Sequence, residues 1–122
     1  MKPISILPVV FACVVAIPVT SCKKKEAVPV PELLEQSFQG SEPEVQKAMQ
    51  SVAASLQAGN YAEATRALAP VVSGRPLTEA QKQAVSGALV QINQAIAANP
   101  SLDTREMYEM RARMFHAVHG KD

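Results

Sequence analysis

Apolar residues recur every three or four positions over most of the chain after residue 40, which is the spacing of an amphipathic α-helix. Four such stripes run through residues 45 to 56, 61 to 71, 85 to 96 and 107 to 118. No stretch of any length alternates apolar and polar residues, as a half-buried β-strand would. The pattern therefore predicts an all-α fold with about four helices.

Helix-breaking and helix-capping residues mark where these helices should begin and end. Breaking residues stand where three of the stripes stop, at Gly59, Asn99-Pro100 and Gly120. Pro70 is expected to kink or end the second helix because it lacks a backbone donor. Four pairs of residues are suited to N-terminal capping: Ser41 with Glu44, Asn60 with Glu63, Thr78 with Gln81, and Asp103 with Glu106.

Short connections predict how the helices are arranged. They make successive helices antiparallel neighbours, so we expect a small bundle of about four antiparallel helices, or two helical hairpins. The aromatic side chains after residue 22 are few: Phe38, Tyr61, Tyr108 and Phe115. Much of the core must then come from alanine, which like Gly87 lets helices approach closely. The stability of such a core should lie at the low end of the usual range of about 5 to 15 kcal/mol.

The charge of the chain excludes one class of partner. Residues 32 to 122 carry 8 basic and 10 acidic side chains, a net charge of −2. Nucleic-acid binding needs a clustered basic face, and the only basic run is Lys23 to Lys25. That run is suited to anionic lipid headgroups or to a solvated linker.

The first 22 residues are organised like a secretory signal. Lys2 supplies a short positive region, residues 4 to 17 are apolar, and Val19-Thr20-Ser21-Cys22 follows. This tetrapeptide resembles the lipobox of bacterial lipoproteins. The resemblance implies that residues 1 to 21 are a cleaved signal peptide and that Cys22 carries a covalent diacylglyceryl lipid and an N-acyl chain. It also implies a location in the bacterial cell envelope, anchored to a membrane and facing the periplasm or the exterior.

A membrane-spanning helix is the competing interpretation of this region. Residues 3 to 22 carry no charge, and about 20 apolar residues can cross a bilayer. One lysine precedes the run and three follow it, which favours a cytoplasmic position for the rest of the chain. Pro8 and Pro18 disfavour a helix. We prefer the lipoprotein interpretation because of the lipobox.

Residues 22 to 40 are predicted to connect the anchor to a helical domain at residues 41 to 122. Residues 23 to 31 combine charge with two prolines, which favours extended backbone reaching up to about 28 Å at about 3.1 Å per residue. A short amphipathic turn follows, with three apolar residues, Leu33, Leu34 and Phe38. It either docks on the domain or meets lipid, and docking is the outcome we prefer.

One segment resembles a single tetratricopeptide repeat. The matching residues between 43 and 76 are Gly59, Tyr61, Ala64, Leu68 and Pro76. The resemblance implies a helical hairpin with a protein-binding groove, and the candidate contact residues are Tyr61, Leu68, Gln50 and Gln57. A plain hairpin that only packs is the alternative. The signature is not repeated, since Asn93 stands 34 residues after Gly59.

The last predicted helix combines methionine with histidine. Thioether and imidazole groups suit copper(I), and the candidate ligands are Met110, Met114, His116 and His119. The methionines also fall at ordinary core spacing, which is the interpretation we favour.

The chain lacks a glycine-rich phosphate loop, a His-Glu-x-x-His motif and a nucleophile elbow. We therefore predict a lipid-anchored, non-catalytic protein-interaction or scaffold module with an envelope protein as its partner. It should have no cofactor other than the lipid on Cys22. The alternative is a metal or small-ligand carrier that uses the Met/His helix.

Overall fold

The computed structural model describes residues 28 to 120, so the predictions for the signal peptide, Cys22 and the lysine run lie outside the described residues. Within that range the chain forms a small all-α bundle without strands, which confirms the predicted fold class. Five α-helices and one short 3₁₀-helix follow one another: α1 (Val30–Ser37), α2 (Pro43–Gln57), α3 (Tyr61–Ser73), α4 (Glu79–Ala98), the 3₁₀-helix (Pro100–Leu102) and α5 (Arg105–His119). None of the helices in this range is both long and apolar enough to cross a membrane.

The helices close a ring around one core. Helix α1 packs on α2 and α4, α3 packs on α2 and α5, and α5 also packs on α4. The expected hairpins are present as α2 with α3 and as α4 with α5. However, α3 and α4 make few contacts, so the expectation that all successive helices are neighbours is wrong at this point. The connection from residue 74 to 78 lets α4 begin beside α1, and α5 then fills the place beside α3.

Helix α1 belongs to the packed structure, which confirms that the predicted amphipathic turn docks on the other helices. Leu34 and Phe38 are both 0% exposed. Near the start of α1, Val30 lies against Gly87 on α4, where an added Cβ would be 3.1 Å from Cγ2 of Val30. A side chain at residue 87 would therefore press on Val30 at the start of α1.

The predicted apolar stripes form most of the core. Nearly all their members are buried: Val45, Met49, Val52, Leu56, Ala64, Leu68, Val85, Ala88, Leu89, Ile92, Met107, Met110, Met114 and Val118. Tyr61, Val71 and Ile96 are half-buried and pack against the same cluster. The one buried polar side chain in the described range is Thr65, whose hydroxyl donates to the Tyr61 carbonyl at 2.7 Å. That bond satisfies the donor inside the helix.

The helix ends agree with the sequence in several places. Thr78 and Gln81 form the predicted capping box at the start of α4. Gly59 follows α2 with a φ of 76°, and Gly120 ends α5 with a φ of 78°. This left-handed backbone conformation favours glycine.

The predicted capping is wrong in detail at the starts of three helices, α2, α3 and α5. Helix α2 has Glu42 as its N-cap without a side-chain bond, and Ser41 does not form the predicted box. There the side chain of Gln46 instead donates to the carbonyls of Gln39 and Ser41 and so holds the turn. Asn60 stands at the N-cap of α3, but its side chain makes no capping bond.

At the start of α5 the N-cap is Thr104, which accepts from the Met107 amide at 3.2 Å, rather than Asp103. Asp103 is engaged elsewhere, because its carboxylate accepts a hydrogen bond from Arg111 at 2.8 Å. Pro70 does not end α3, which continues to Ser73. Buried contacts of Leu68 and Val72 on either side of Pro70 hold that helix in place.

Candidate functional site

Two of the four aromatic side chains in the described range point into solvent. Tyr108 is 65% exposed and Phe115 is 53% exposed, whereas Phe38 is fully buried and Tyr61 is half-buried. Tyr108 and Phe115 are seven residues apart on α5, which places them on one face about 10 Å apart along the axis. In a chain with so few aromatic residues, this exposure sets the face apart from the rest of the surface.

A groove between α4 and α5 runs beside these two rings. Its volume is about 670 Å³, and its lining includes Leu89, Val90 and Ala112 in addition to the two rings. Val90 on α4 is 56% exposed. The groove forms because the buried stripes of α4 and α5 meet in the core. The residues next to those stripes remain at the surface and line the groove.

The outer face of α4 beside this groove carries no charge. No charged residue occurs from residue 83 to residue 98. The exposed residues there are apolar or carry amides: Gln83, Val90, Asn93, Gln94, Ala97 and Ala98. Interface cores are depleted of charge and enriched in aromatic side chains. The face of α4 meets the first condition, and the adjoining face of α5 supplies the rings of Tyr108 and Phe115, although Arg111, His116 and His119 also line the groove there. We call the two faces together the α4/α5 face.

Arg111 lies at the edge of the groove and joins three parts of the chain. Its guanidinium donates to Oδ1 of Asn93 at 2.7 Å and to Oδ1 of Asp103 at 2.8 Å. Its side chain is only 20% exposed. The pairing with Asp103 balances its charge, so Arg111 fixes the start of α5 against α4 without making the groove cationic.

The predicted metal ligands do not come together. Met110 and Met114 are buried in the core at 9% and 0% exposure, whereas His116 and His119 are exposed. The His119 ring lies 4.2 Å from the Phe115 ring, centroid to centroid, so the histidine extends the aromatic surface. Within residues 28 to 120 no group of three or more His, Cys, Asp or Glu side chains is arranged to hold a metal ion.

A second groove of about 910 Å³ lies near the C-terminal ends of α3 and α5. It is lined by four basic or titratable side chains, Arg75, Arg113, His116 and His119, together with part of Phe115. Nε of Arg75 donates to the Val71 carbonyl at 2.8 Å, near the end of α3. Cations are favoured at helix C-termini by the helix dipole. That preference accounts for Arg75 after α3 and for His116 and His119 in the last turn of α5.

One of the four candidates from the tetratricopeptide resemblance is not on the surface. Leu68 is fully buried, Tyr61 is half-buried, and Gln50 and Gln57 are exposed. Gln50 lines a polar recess of only about 150 Å³ that also involves α1. Leu68 is therefore a core residue that a partner could reach only if the bundle opened.

Sequence reasoning did not single out Val90, Tyr108 and Phe115 as surface residues. A usable signal was present, because Tyr108 and Phe115 fall outside the spacing of the methionine stripe on α5. Val90 similarly falls outside the stripe of α4. Large apolar residues on the polar side of an amphipathic helix indicate a contact surface.

An exposed ion-pair network links α3 to α5. The Arg66 guanidinium contacts Glu106 on α5 at 3.0 Å and Glu63 on its own helix at 3.1 Å. The hydrogen bond and charge of Arg66 lower the pKa of Glu106 below its ordinary value. In return Glu106, and to a smaller degree Glu63, raise the pKa of Arg66. These side chains are about half exposed, so solvent screens the interaction between their charges. The ion pairs therefore contribute little to the stability of the fold.

Comparison with protein-family models, curated proteins and solved structures found no match to this chain.

Proposed function

We propose that this chain is a lipid-anchored, non-catalytic helical module of a bacterial cell envelope that binds a protein through the α4/α5 face. The anchor is the lipid on Cys22, and the spacer from residue 23 to residue 29 holds the bundle near the membrane. The module acts by keeping its partner at that membrane.

The exposure of Tyr108 and Phe115 is the observation that carries the binding proposal. Leaving two large rings exposed forgoes apolar burial in a small core, since burying a large apolar side chain contributes about 1.5 to 3 kcal/mol. A partner that covers these rings removes that apolar area from water. The uncharged face of α4 next to them requires little desolvation of charge on binding.

The proposed binding surface is tested by photo-crosslinking in intact cells. A photoreactive benzophenone amino acid is placed at Phe115, and the matched control position is Ala54, which is exposed on α2. We expect adducts of higher mass from position 115 and few or none from position 54. Absence of adducts from position 115 in cells that hold the folded protein contradicts the proposed surface.

The proposed anchor is tested by two separate cysteine substitutions. Cys22→Ser should retain residues 1 to 21 and lose fatty-acid labelling, because the acylated thiol is the substrate of signal cleavage in the lipoprotein family. Cys13→Ser, which changes a cysteine inside the apolar region, should be processed and labelled like the unaltered chain. Intact mass and incorporation of labelled palmitate report both results. Unchanged processing of Cys22→Ser would refute the lipid anchor.

A further inference from the structure

We propose that the groove at the C-terminal ends of α3 and α5 is a binding site for a phosphate group carried by a small organic molecule. We call it the basic groove, and its volume is about 910 Å³. Small-molecule sites usually have volumes of about 300 to 1,000 Å³. The proposal goes beyond the protein-binding function, because the two arginines that line the basic groove, Arg75 and Arg113, do not line the groove of the α4/α5 face.

The two arginines of the basic groove differ from the other three arginines of the chain. Arg66, Arg105 and Arg111 each pair with a carboxylate. Within residues 28 to 120, Arg75 and Arg113 form no such pair, and both line the same groove. A guanidinium that has no carboxylate partner keeps its charge and its N–H donors for a ligand. Arginine binds phosphate through pairs of parallel N–H bonds.

None of the described residues that line the basic groove is acidic. The two segments that supply the lining have no Asp or Glu at all, from residue 64 to 78 and from residue 110 to 120. The nearest acid along α5 is Glu109, four residues before Arg113, and its carboxylate is engaged by Arg105 at 3.0 Å. An anionic ligand therefore meets no opposing carboxylate among these lining residues.

The helix dipoles do not cancel the positive charge of the basic groove. Two helices end there, and each C-terminus is equivalent to about −0.5 elementary charge. Arg75 and Arg113 each carry a full positive charge, so about one positive charge remains even while His116 and His119 are neutral. Arg113 also lies six residues before the end of α5 at His119, whereas the dipole acts within the last turn. The dipole preference therefore does not account for Arg113.

The number of donors around the basic groove favours phosphate over carboxylate. Nε of Arg75 donates to the Val71 carbonyl at 2.8 Å, which holds the guanidinium in place and leaves its two terminal nitrogens available. Arg113, the hydroxyl of Ser73 and the two histidine rings add further donors. A phosphate group offers three terminal oxygens and a charge of about −1.5 to −2 at pH 7, whereas a carboxylate offers two oxygens and one charge. Phosphate can therefore use both guanidinium groups at once.

Apolar side chains beside these donors indicate that the phosphate belongs to an organic molecule. Phe115 is 53% exposed and lines the basic groove together with Ala117. The rings of Phe115 and His119 lie 4.2 Å apart, centroid to centroid, and form one aromatic surface. An aromatic body attached to the phosphate can pack on this surface, as aromatic pairs do. An inorganic phosphate ion would leave it uncovered.

The site is tested by titrating the purified full chain with phenyl phosphate, inorganic phosphate and benzoate in separate experiments at low ionic strength. Calorimetry gives the affinities, and NMR follows the ring signals of His116 and His119. Phenyl phosphate should shift these signals and bind at least about threefold more tightly than inorganic phosphate, because its ring packs on Phe115. It should also bind more tightly than benzoate. Arg113→Gln should weaken phenyl phosphate binding by at least about tenfold, because hydrogen bonds between charged groups are lost.

The matched control is Lys47→Gln, which removes one positive charge from an exposed position of α2 outside the basic groove. It should bind phenyl phosphate like the unaltered chain. Arg113 is exposed as well, so Arg113→Gln should keep the melting temperature of the unaltered chain. Equal weakening by the two variants would mean that net charge alone attracts the ligand, and it overturns the site.

Two further results overturn the proposal. One is the absence of phenyl phosphate binding, and the other is benzoate binding that is as tight as that of phenyl phosphate. A lipid headgroup is distinguished from a small molecule by competition with vesicles. Phosphatidylglycerol vesicles should displace no more phenyl phosphate than phosphatidylcholine vesicles do. Selective displacement by phosphatidylglycerol would assign the groove to a membrane surface and overturn the small-molecule ligand.

Discussion

Gly87 is the residue of α4 that lies against the start of α1. A Cβ at this position would lie 3.1 Å from Cγ2 of Val30, so a larger side chain must push Val30 away from α4. We predict that Gly87→Leu lowers the free energy of unfolding by about 1 to 3 kcal/mol, the usual cost of overpacking. Urea denaturation measures this change, and hydrogen exchange should show faster exchange of the α1 amides.

The control for this prediction is Gln94→Leu, which adds the same side chain to an exposed position of α4. It should change stability by less than about 0.5 kcal/mol. Equal stability of Gly87→Leu and the unaltered chain would show that α1 does not depend on this contact.

Capping shows how far individual residues could be read from the sequence. The Thr78 and Gln81 box was predictable because both partners lie within one turn. The second role of Gln81 was not predictable. Its side-chain amide also donates to the Ser37 carbonyl of α1, which is 44 residues away in the sequence. At α5, Asp103 and Thr104 were both suitable caps. Thr104 is the cap because Arg111 engages the carboxylate of Asp103. Sequence spacing does not indicate that contact.

At the scale of the elements, the contact between α3 and α5 provides a test by pH. The pKa of Glu106 is lowered in the folded state, mainly by its hydrogen bond to Arg66. The carboxylate therefore stabilises the fold above its unfolded pKa, and this contribution is lost as the pH falls through the folded value. We predict that Glu106→Gln lowers the melting temperature slightly at pH 7. The difference from the unaltered chain should disappear between about pH 5 and pH 3.

Glu109→Gln is the matched control, since Glu109 pairs with Arg105 inside α5 and links no second helix. Its effect on the melting temperature at pH 7 should be the smaller of the two. A difference for Glu106→Gln that persists unchanged below pH 3 would mean that the Arg66 pair is not its cause. High salt should reduce the effect at pH 7, as expected for an exposed pair.

The order of the elements around the core was only partly predictable. Hydrophobic spacing identified four helices and both hairpins, because these depend on local patterns and short connections. The packing of α5 between α3 and α4 depends on burial of residues far apart in the chain, such as Leu68 and Met114 in one core. A connection from residue 74 to 78 permits α3 to pack beside α4 or beside α5, so the sequence alone did not decide between these two arrangements.

At the scale of the whole molecule, aromatic residues are divided between core and surface. Phe38 fills the core beside α1, whereas Tyr108 and Phe115 remain outside. The sequence predicted a thin core, and its buried residues were largely identified by their spacing. The sequence placed four candidate contact residues on the α2 and α3 hairpin, and one of them, Leu68, lies in the core. Helical periodicity distinguishes buried from exposed positions, but it does not say which exposed position is reserved for a partner.

The proposed role of Tyr108 and Phe115 is binding rather than folding. The most direct measurement places the photoreactive residue at Val90 and compares adduct formation in the unaltered background with that in the Tyr108→Ser, Phe115→Ser double variant. We predict that the double variant loses the adducts while its melting temperature stays within a few degrees, since both rings are largely exposed. Undiminished adducts, or a double variant that no longer folds, would contradict the claim.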